Sequence, residues 1–350
     1  MRCRLAAVGL VALVLSTLSF KADAAPRKLE GVPRYDHVVV LVLENENFDQ
    51  TWGPGSSAHY LNSLRPKGVF ADQYFATGHA SLDNYIAMVS GQPANPVTSS
   101  DCLAVNLWTC VQMQSPMSGG RNLADQLEER HVSWKGYMDG MPGPCFHADY
   151  SPTAMGPDPY QGNSQAAPAS DYADRHNPFL YFDNVISNDT RCRNHVVPYT
   201  QLAGDLANDR LPQFSFITPD TCHDGHDDPC SNGQPGGLVS ADKWLSQQVP
   251  RLMGYLNRHN GLLLITLDEN GVTDGPPFGC CSGGPGGVTP GFGGRVGMLA
   301  LGPSLPRGKV VSTAYDHMSL LRTIEDAFGI DEHLNNAAQA TAMADVLKPR

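Results

Sequence analysis

Apolar residues in this chain follow two patterns, and the patterns predict different elements. Residues 38–43 form six consecutive apolar positions, four of them valine, and 262–267 form a second run interrupted only by Thr266. Runs of this kind suit strands buried on both faces, the habit of parallel strands in an α/β sheet. Shorter runs predict strands at 68–76, 132–137, 214–218 and 296–301. Helical spacing appears at 60–64, 122–130, 244–258 and 318–328, and at 81–91, where Leu82, Ile86 and Val89 share a face and Gly91 supplies a stop. Stretches 92–120, 140–173 and 271–295 are rich in Pro, Gly or Ser and show no sustained period. Strands alternating with helices predict an α/β fold with helices on both sheet faces and long loop insertions.

Three of these strands end in the same way. Glu44 and Asn45 follow the first, Asp220 comes two residues after 214–218, and Asp268 and Glu269 follow 262–267. Histidines lie close behind, at His223, His226 and His317. Ligands in open α/β sheets bind at the carboxyl ends of strands. Carboxylates and imidazoles gathered there predict a divalent-metal site. At the head of the 81–91 helix, Ser81 has two readings. As an N-cap it satisfies backbone donors. Facing a metal at a helix N-terminus, it is placed to attack phosphorus, with the Asn84 amide on the same face for a phosphoryl oxygen.

Composition narrows the setting. A basic start at Arg2 and Arg4, an apolar run over 5–18 and the small-residue exit Ala22-Asp23-Ala24 predict a secretory signal peptide over residues 1–24, leaving 25–350 as a single domain. The expected location is outside the cytoplasm, secreted or periplasmic, with no stable membrane insertion. Eight cysteines remain after that segment, an even number that favours disulfides in an exported chain. Short loops favour Cys102–Cys110 and Cys222–Cys230, with Cys145–Cys192 a further candidate; Cys280 and Cys281 can join each other or exchange with these. Cleavage after Ala24 removes three basic residues and one acidic one and moves the net charge from −11 to −13. Such a surface is a poor host for nucleic acid.

Five segments, in order, carry a resemblance. They are Val42-Leu-Glu-Asn-Glu-Asn-Phe-Asp49, His79-Ala-Ser-Leu-Asp-Asn-Tyr85, Pro219-Asp-Thr-Cys-His-Asp-Gly-His-Asp227, Thr266-Leu-Asp-Glu-Asn270 and the stretch from Tyr315-Asp-His317 to Asp326. Together they resemble the bacterial and fungal phosphoesterase family, which includes acid phosphatases and phospholipases C and belongs to the alkaline phosphatase superfamily. The resemblance implies a three-layer α/β/α sandwich and hydrolysis of phosphate esters through a phosphoserine. It implies that Glu44 with Asn45 and Asp268 with Glu269 are metal-binding pairs and that Ser81 is the nucleophile. It also implies that His79, His226 and His317 line the pocket, and it assigns His176-Asn-Pro to a further family motif.

The wider superfamily has Asp at the first strand end and Asp-His at the other, so Glu-Asn and Asp-Glu are a departure that bears on the metal. Oxygen ligands favour one or two Mg, Mn or Ca ions over Zn. The expected partner is a phosphate-ester substrate, a small phosphomonoester or, alternatively, a phospholipid head group as in a phospholipase C. A secreted metal-binding protein without turnover is the alternative of another class. Ser81-Leu-Asp-Asn-Tyr lacks the Pro and Arg of a sulfatase signature, and no Gly-x-Ser-x-Gly motif of a serine acyl hydrolase is present.

Overall fold

The computed structural model describes residues 29–95, 98–101, 120–146, 171–271 and 293–349. The expected signal segment, Cys102, Cys110, Cys280 and Cys281, and most of the long loops lie outside the described residues. Eight strands make the main sheet, in the order β5-β4-β6-β1-β7-β8-β2-β9. In chain order these are β1 (His37–Leu43), β2 (Val69–Ala71), β4 (Trp134–Met138), β5 (Val196–Pro198), β6 (Phe214–Thr218), β7 (Gly261–Leu267), β8 (Met298–Leu301) and β9 (Lys309–Val311). A second sheet pairs β3 (Tyr74–Phe75) with β10 (Tyr315–Asp316).

The two longest apolar runs are neighbours at the centre of the main sheet. β1 pairs in parallel with β6 on one side and with β7 on the other, in register from His37↔Gly261 to Leu43↔Leu267. Residues Val38 to Leu43 are all at most 1% exposed. Burying each such side chain contributes about 1.5–3 kcal/mol, enough to offset a backbone ordering cost of about 1–2 kcal/mol per residue. β8 departs from the parallel habit and runs antiparallel to both β7 and β2.

The helix Ser81–Ser90 packs on the helix His317–Ala327, while Gly237–Leu256 packs on β7 and on the helix His59–Leu64. The sheet and its flanking helices form a three-layer α/β/α sandwich. Gly91 stops the Ser81 helix as expected, at φ +68°, and a Cβ there would meet the Leu334 carbonyl oxygen at 2.5 Å.

Two expectations need correcting, and one stretch had no predicted element. The strand expected over 68–76 splits at Asp72-Gln73 into β2 and β3, which join different sheets. The helix expected from Trp244 begins at Gly237, because Leu238 and Ala241 extend the same buried stripe as Leu245. The chain between Asp189 and Ala207, a stretch without a predicted element, holds two short helices and β5.

Two disulfides are described, Cys222–Cys230 and Cys145–Cys192. The second closes a sequence separation of 47 residues and joins the loop after β4 to the helix Asp189–His195 beside β5. Chain-entropy reasoning assigns such a loop about 4 kcal/mol. Replacing both Cys145 and Cys192 by Ala is therefore expected to lower the unfolding free energy by about 2–4 kcal/mol, read from guanidinium denaturation of the oxidised protein. An unchanged midpoint would contradict this.

Candidate active site

Register carries the chain directly to the site. One step beyond the last β1–β7 pair, Glu44 and Asp268 leave the sheet side by side, and the Asp268 N–H continues the ladder onto the Leu43 carbonyl at 3.0 Å. Both carboxylates are fully buried. Asn45 turns the chain at φ +40°, a left-handed conformation that Asn tolerates. Its backbone N–H donates to Asp268 Oδ1 at 3.4 Å.

The Ser81–Ser90 helix points its first turn at this edge. Ser81 Oγ–H donates to Glu44 Oε2 at 3.0 Å, and the Tyr85 phenol, one turn on, donates to Glu44 Oε1. Ser81 is not the N-cap: Ala80 holds that place without a side-chain bond, and Ser81 is the first helical residue. Its hydroxyl is thus aimed at the carboxylate cluster instead of its own backbone.

The cluster is crowded with acceptors. The Asn45 side-chain amide lies against Glu44 Oε2 at 3.0 Å and Asp268 Oδ1 at 3.2 Å, and with its nitrogen on that side it donates to both. Asp268 Oδ2 is buried and has no hydrogen-bond partner among the described residues. Burial and mutual repulsion push the Glu44 carboxyl well up, first by desolvation and then by Asp268 and Asp224. Asp268 and Glu269 are raised too, again chiefly by desolvation. A hard divalent ion among Glu44, Asn45 and Asp268, with Glu269 alongside, fits this donor set.

Other expected site residues take different duties. Asn84 has no amide donor to spare for a phosphoryl oxygen. Its Nδ2 donates to the carbonyls of Gly78 and Ala80 at 3.0 and 3.1 Å, while its Oδ1 accepts from the Thr77 and Gly78 N–H groups, both at 2.9 Å. It holds the turn that precedes Ser81.

His317 is likewise not a metal ligand. Its Nε2–H donates to the Asp268 carbonyl at 2.6 Å and its Nδ1 accepts from the Tyr74 phenol at 2.9 Å, so both nitrogens are engaged. Burial pushes this imidazole down to about 4, which keeps it neutral. It fixes the main chain of Asp268.

Asp220 caps the short helix Thr221–Asp224 through the His223 N–H, and its carboxylate lies 2.7 Å from His223 Nδ1. Although Asp220, Cys222 and His223 lie close enough to hold an ion, the Cys222 sulfur is spent in the disulfide and offers no thiolate. The two remaining pocket histidines differ. His226 donates from Nδ1 to Asp227 at 2.8 Å and accepts at Nε2 from Arg175 at 2.9 Å, whereas His79 is 28% exposed and donates from Nδ1 to Glu269 at 2.9 Å.

Four residues at the site, His176, Asp224, Arg175 and Asp83, were not marked out by spacing. Glu44, His176 and Asp224 are buried with potential ligand atoms within 4.8 Å of one another. His176 Nδ1–H donates to Asp224 at 3.2 Å, which turns Nε2 toward Glu44 Oε2 at 3.5 Å. That nitrogen has no hydrogen-bond partner among the described residues, and burial holds the imidazole well below its ordinary range. A neutral imidazole oriented by a carboxylate is the usual form of a metal-binding histidine.

Arg175, 5% exposed, brings positive charge among these acids. Asp83 is 2% exposed with both oxygens unpaired among the described residues, and burial, then Glu269 and Asp101, push it up to about 8. The His176-Asn-Pro motif signalled the first of the four. Nothing in the spacing separated Asp224 from its acidic neighbours Asp227 and Asp228.

These raised carboxyls set a pH dependence. A group whose pKa is higher folded than unfolded is destabilising once it must ionise in place, so stability falls as pH climbs above the unfolded value. For Asp83 that window runs from its ordinary 3.8 to about 8. The chelated protein is expected to melt at a lower temperature at pH 8 than at pH 5, and added Mn²⁺ is expected to narrow the gap. A chelated protein whose melting point is flat or rises with pH would contradict the charge account.

Residues 54–331 match the Phosphoesterase family. A probable acid phosphatase of Kluyveromyces lactis is 30% identical over 293 residues, covering 82% of this chain and 56% of that protein. An acid phosphatase of Aspergillus fumigatus is 24% identical, covering 92% and 61%. The chain thus spans little more than half the length of these two relatives. A phosphatidylinositol-3-phosphatase of Mycobacterium tuberculosis is 27% identical, covering 76% of this chain and 74% of that one.

Among solved structures, a protein in the alkaline phosphatase superfamily from Vibrio parahaemolyticus overlays with a TM-score of 0.55 at 13% identity, covering 92% of this chain and 76% of that one. A phosphonate monoester hydrolase from Silicibacter pomeroyi gives 0.51 at 11% identity, covering 89% and 76%. Those two likenesses concern the fold. With the family match running over most of its length, this chain belongs to the phosphoesterase family, on the three-layer fold of the alkaline phosphatase superfamily.

Proposed function

We propose that the chain hydrolyses phosphate monoesters, with Ser81 as the group that accepts the phosphoryl. The observation that carries this is the buried hydroxyl of Ser81, 3.0 Å from Glu44 Oε2, at the head of a helix facing the carboxylate cluster. Glu44, Asn45, Asp268 and Glu269 would hold a divalent ion, Mg, Mn or Ca before Zn, with His176 as a nitrogen ligand. Such an ion, when bound, polarises phosphoryl oxygens and favours the alkoxide form of a neighbouring hydroxyl.

The protein's own groups supply the rest. Glu44 Oε2 takes the Ser81 proton as Oγ attacks phosphorus in line and the ester oxygen departs. His79 is the group we assign to protonate the leaving alcohol, because His226 has both ring nitrogens committed while His79 is partly open to solvent. Arg175 and the helix N-terminus offset charge on the equatorial oxygens. Water then displaces Ser81 from phosphorus and restores the hydroxyl.

The monoester reading is supported by the relatives, which are named acid phosphatases and a phosphatidylinositol-3-phosphatase. The last name keeps a lipid-borne phosphomonoester in view as a substrate, ahead of phospholipase C cleavage. Two disulfides support export to an oxidising compartment, secreted or periplasmic. We read residues 25–350 as one catalytic domain.

Ser81→Ala is expected to lower turnover of p-nitrophenyl phosphate by at least about 10³-fold while metal content and melting temperature hold. Turnover that survives in the variant removes Ser81 from the mechanism. Wild-type protein that binds Mn²⁺ yet cleaves neither phosphomonoesters nor diesters would favour the non-catalytic alternative. Removing metal with a chelator is expected to abolish turnover, and re-adding Mn²⁺ or Mg²⁺ to restore it.

A further inference from the structure

We infer that Asp101 is a built-in anion seated where the substrate's phosphoryl group is held, so that its side chain must leave before a phosphate ester can bind. Asp101 Oδ1 accepts the N–H of Leu82 at 2.9 Å, and Leu82 is the residue directly after Ser81. Its Oδ2 lies 4.0 Å from Arg175 Nε. A carboxylate is thus placed between one amide of a helix N-terminus and a guanidinium, groups of the kind that bind phosphate. Around it stand Asp83 and Glu269, whose carboxyls Asp101 helps push up.

A plain helix cap does not account for the arrangement. The capping position belongs to Ala80, which contributes no side-chain bond, and the carboxylate arrives instead from 19 residues further along the chain. The Asp101 side chain remains one-fifth exposed.

The inference rests on the reading of Ser81 as phosphoryl acceptor, since only then do the Leu82 amide and Arg175 face the transferred group. Phosphate carries more charge and more acceptor oxygens than a carboxylate, and it displaces Asp101 with an apparent affinity reduced in proportion to the fraction of protein whose seat is empty. The same group returning to the amide would help expel inorganic phosphate. Asp101 therefore sets KM and product inhibition.

The test uses inorganic phosphate titrated calorimetrically into the Mn²⁺-loaded protein at pH 8, alongside p-nitrophenyl phosphate kinetics. Asp101→Asn keeps an acceptor for the Leu82 N–H and removes the charge; Asp101→Ala removes both. Each is expected to bind phosphate about tenfold more tightly and to show KM lowered by a similar factor. Glu46→Gln, a like change of charge on the loop after β1, is expected to shift phosphate affinity by less than twofold. Phosphate affinity unchanged or weakened in both Asp101 variants, with a lowered melting temperature, reduces Asp101 to a helix cap and overturns the inference. An equal gain in Glu46→Gln also overturns it, since the effect would then be one of bulk charge. Tighter phosphate binding in the Asp101 variants of a protein that cleaves no phosphate ester would support the anion seat while sinking the proposed function.

Discussion

Because β1 and β7 run parallel and in register, Glu44 and Asp268 leave the sheet as neighbours, and both do so out of contact with water. Two unit charges about 4 Å apart repel by about 4 kcal/mol at an effective dielectric near 20. A fold that places carboxylates this way must keep them protonated or bring in positive charge. The surroundings are organised around that need: Asn45 lies across the pair, Ser81 and Tyr85 donate to Glu44, and Arg175 stands among the acids. His317 clamps the main chain of Asp268 so that the carboxylate cannot swing away. The site is therefore an arrangement of like charges held close in a rigid sheet, of the kind a divalent ion would relieve.

Much of this was legible in the chain because burial leaves a direct trace in sequence. Runs of six apolar residues occur where both sheet faces are covered, and the residue that ends such a run sits at the sheet edge. That is why Glu44 and Asp268 could be found from spacing. Ser81 stood out for a similar reason, as the first polar residue before a helical stripe. The roles of Asn84 and His317 could not be read this way. Each acts through hydrogen bonds to main-chain groups that only the folded turn brings near, Gly78 for the first and the Asp268 carbonyl for the second.

Arg175 and Asp224 were missed for the complementary reason. Both lie in polar loop segments where charged residues are ordinarily solvated, and nothing local distinguishes them from Asp171 or Asp228. Here the folded chain covers them. A charged side chain in a loop becomes informative only when the structure removes its water, and the sequence does not encode that locally. The split of 68–76 into two strands has the same origin, since Asp72 and Gln73 look like ordinary outward positions until the chain changes sheets.

Ser81 and Tyr85 reach opposite oxygens of one carboxylate from successive turns of a single helix. The aim of the hydroxyl is thus set by the rotational phase of that helix, and a shift of one residue would swing both donors by about 100°. Side chains on the helix can vary as long as that phase survives, whereas a single residue added or lost between the two would set the hydroxyl and the phenol about 100° out of phase, so that they no longer reach Glu44 together. Length, more than composition, is what this segment has to preserve.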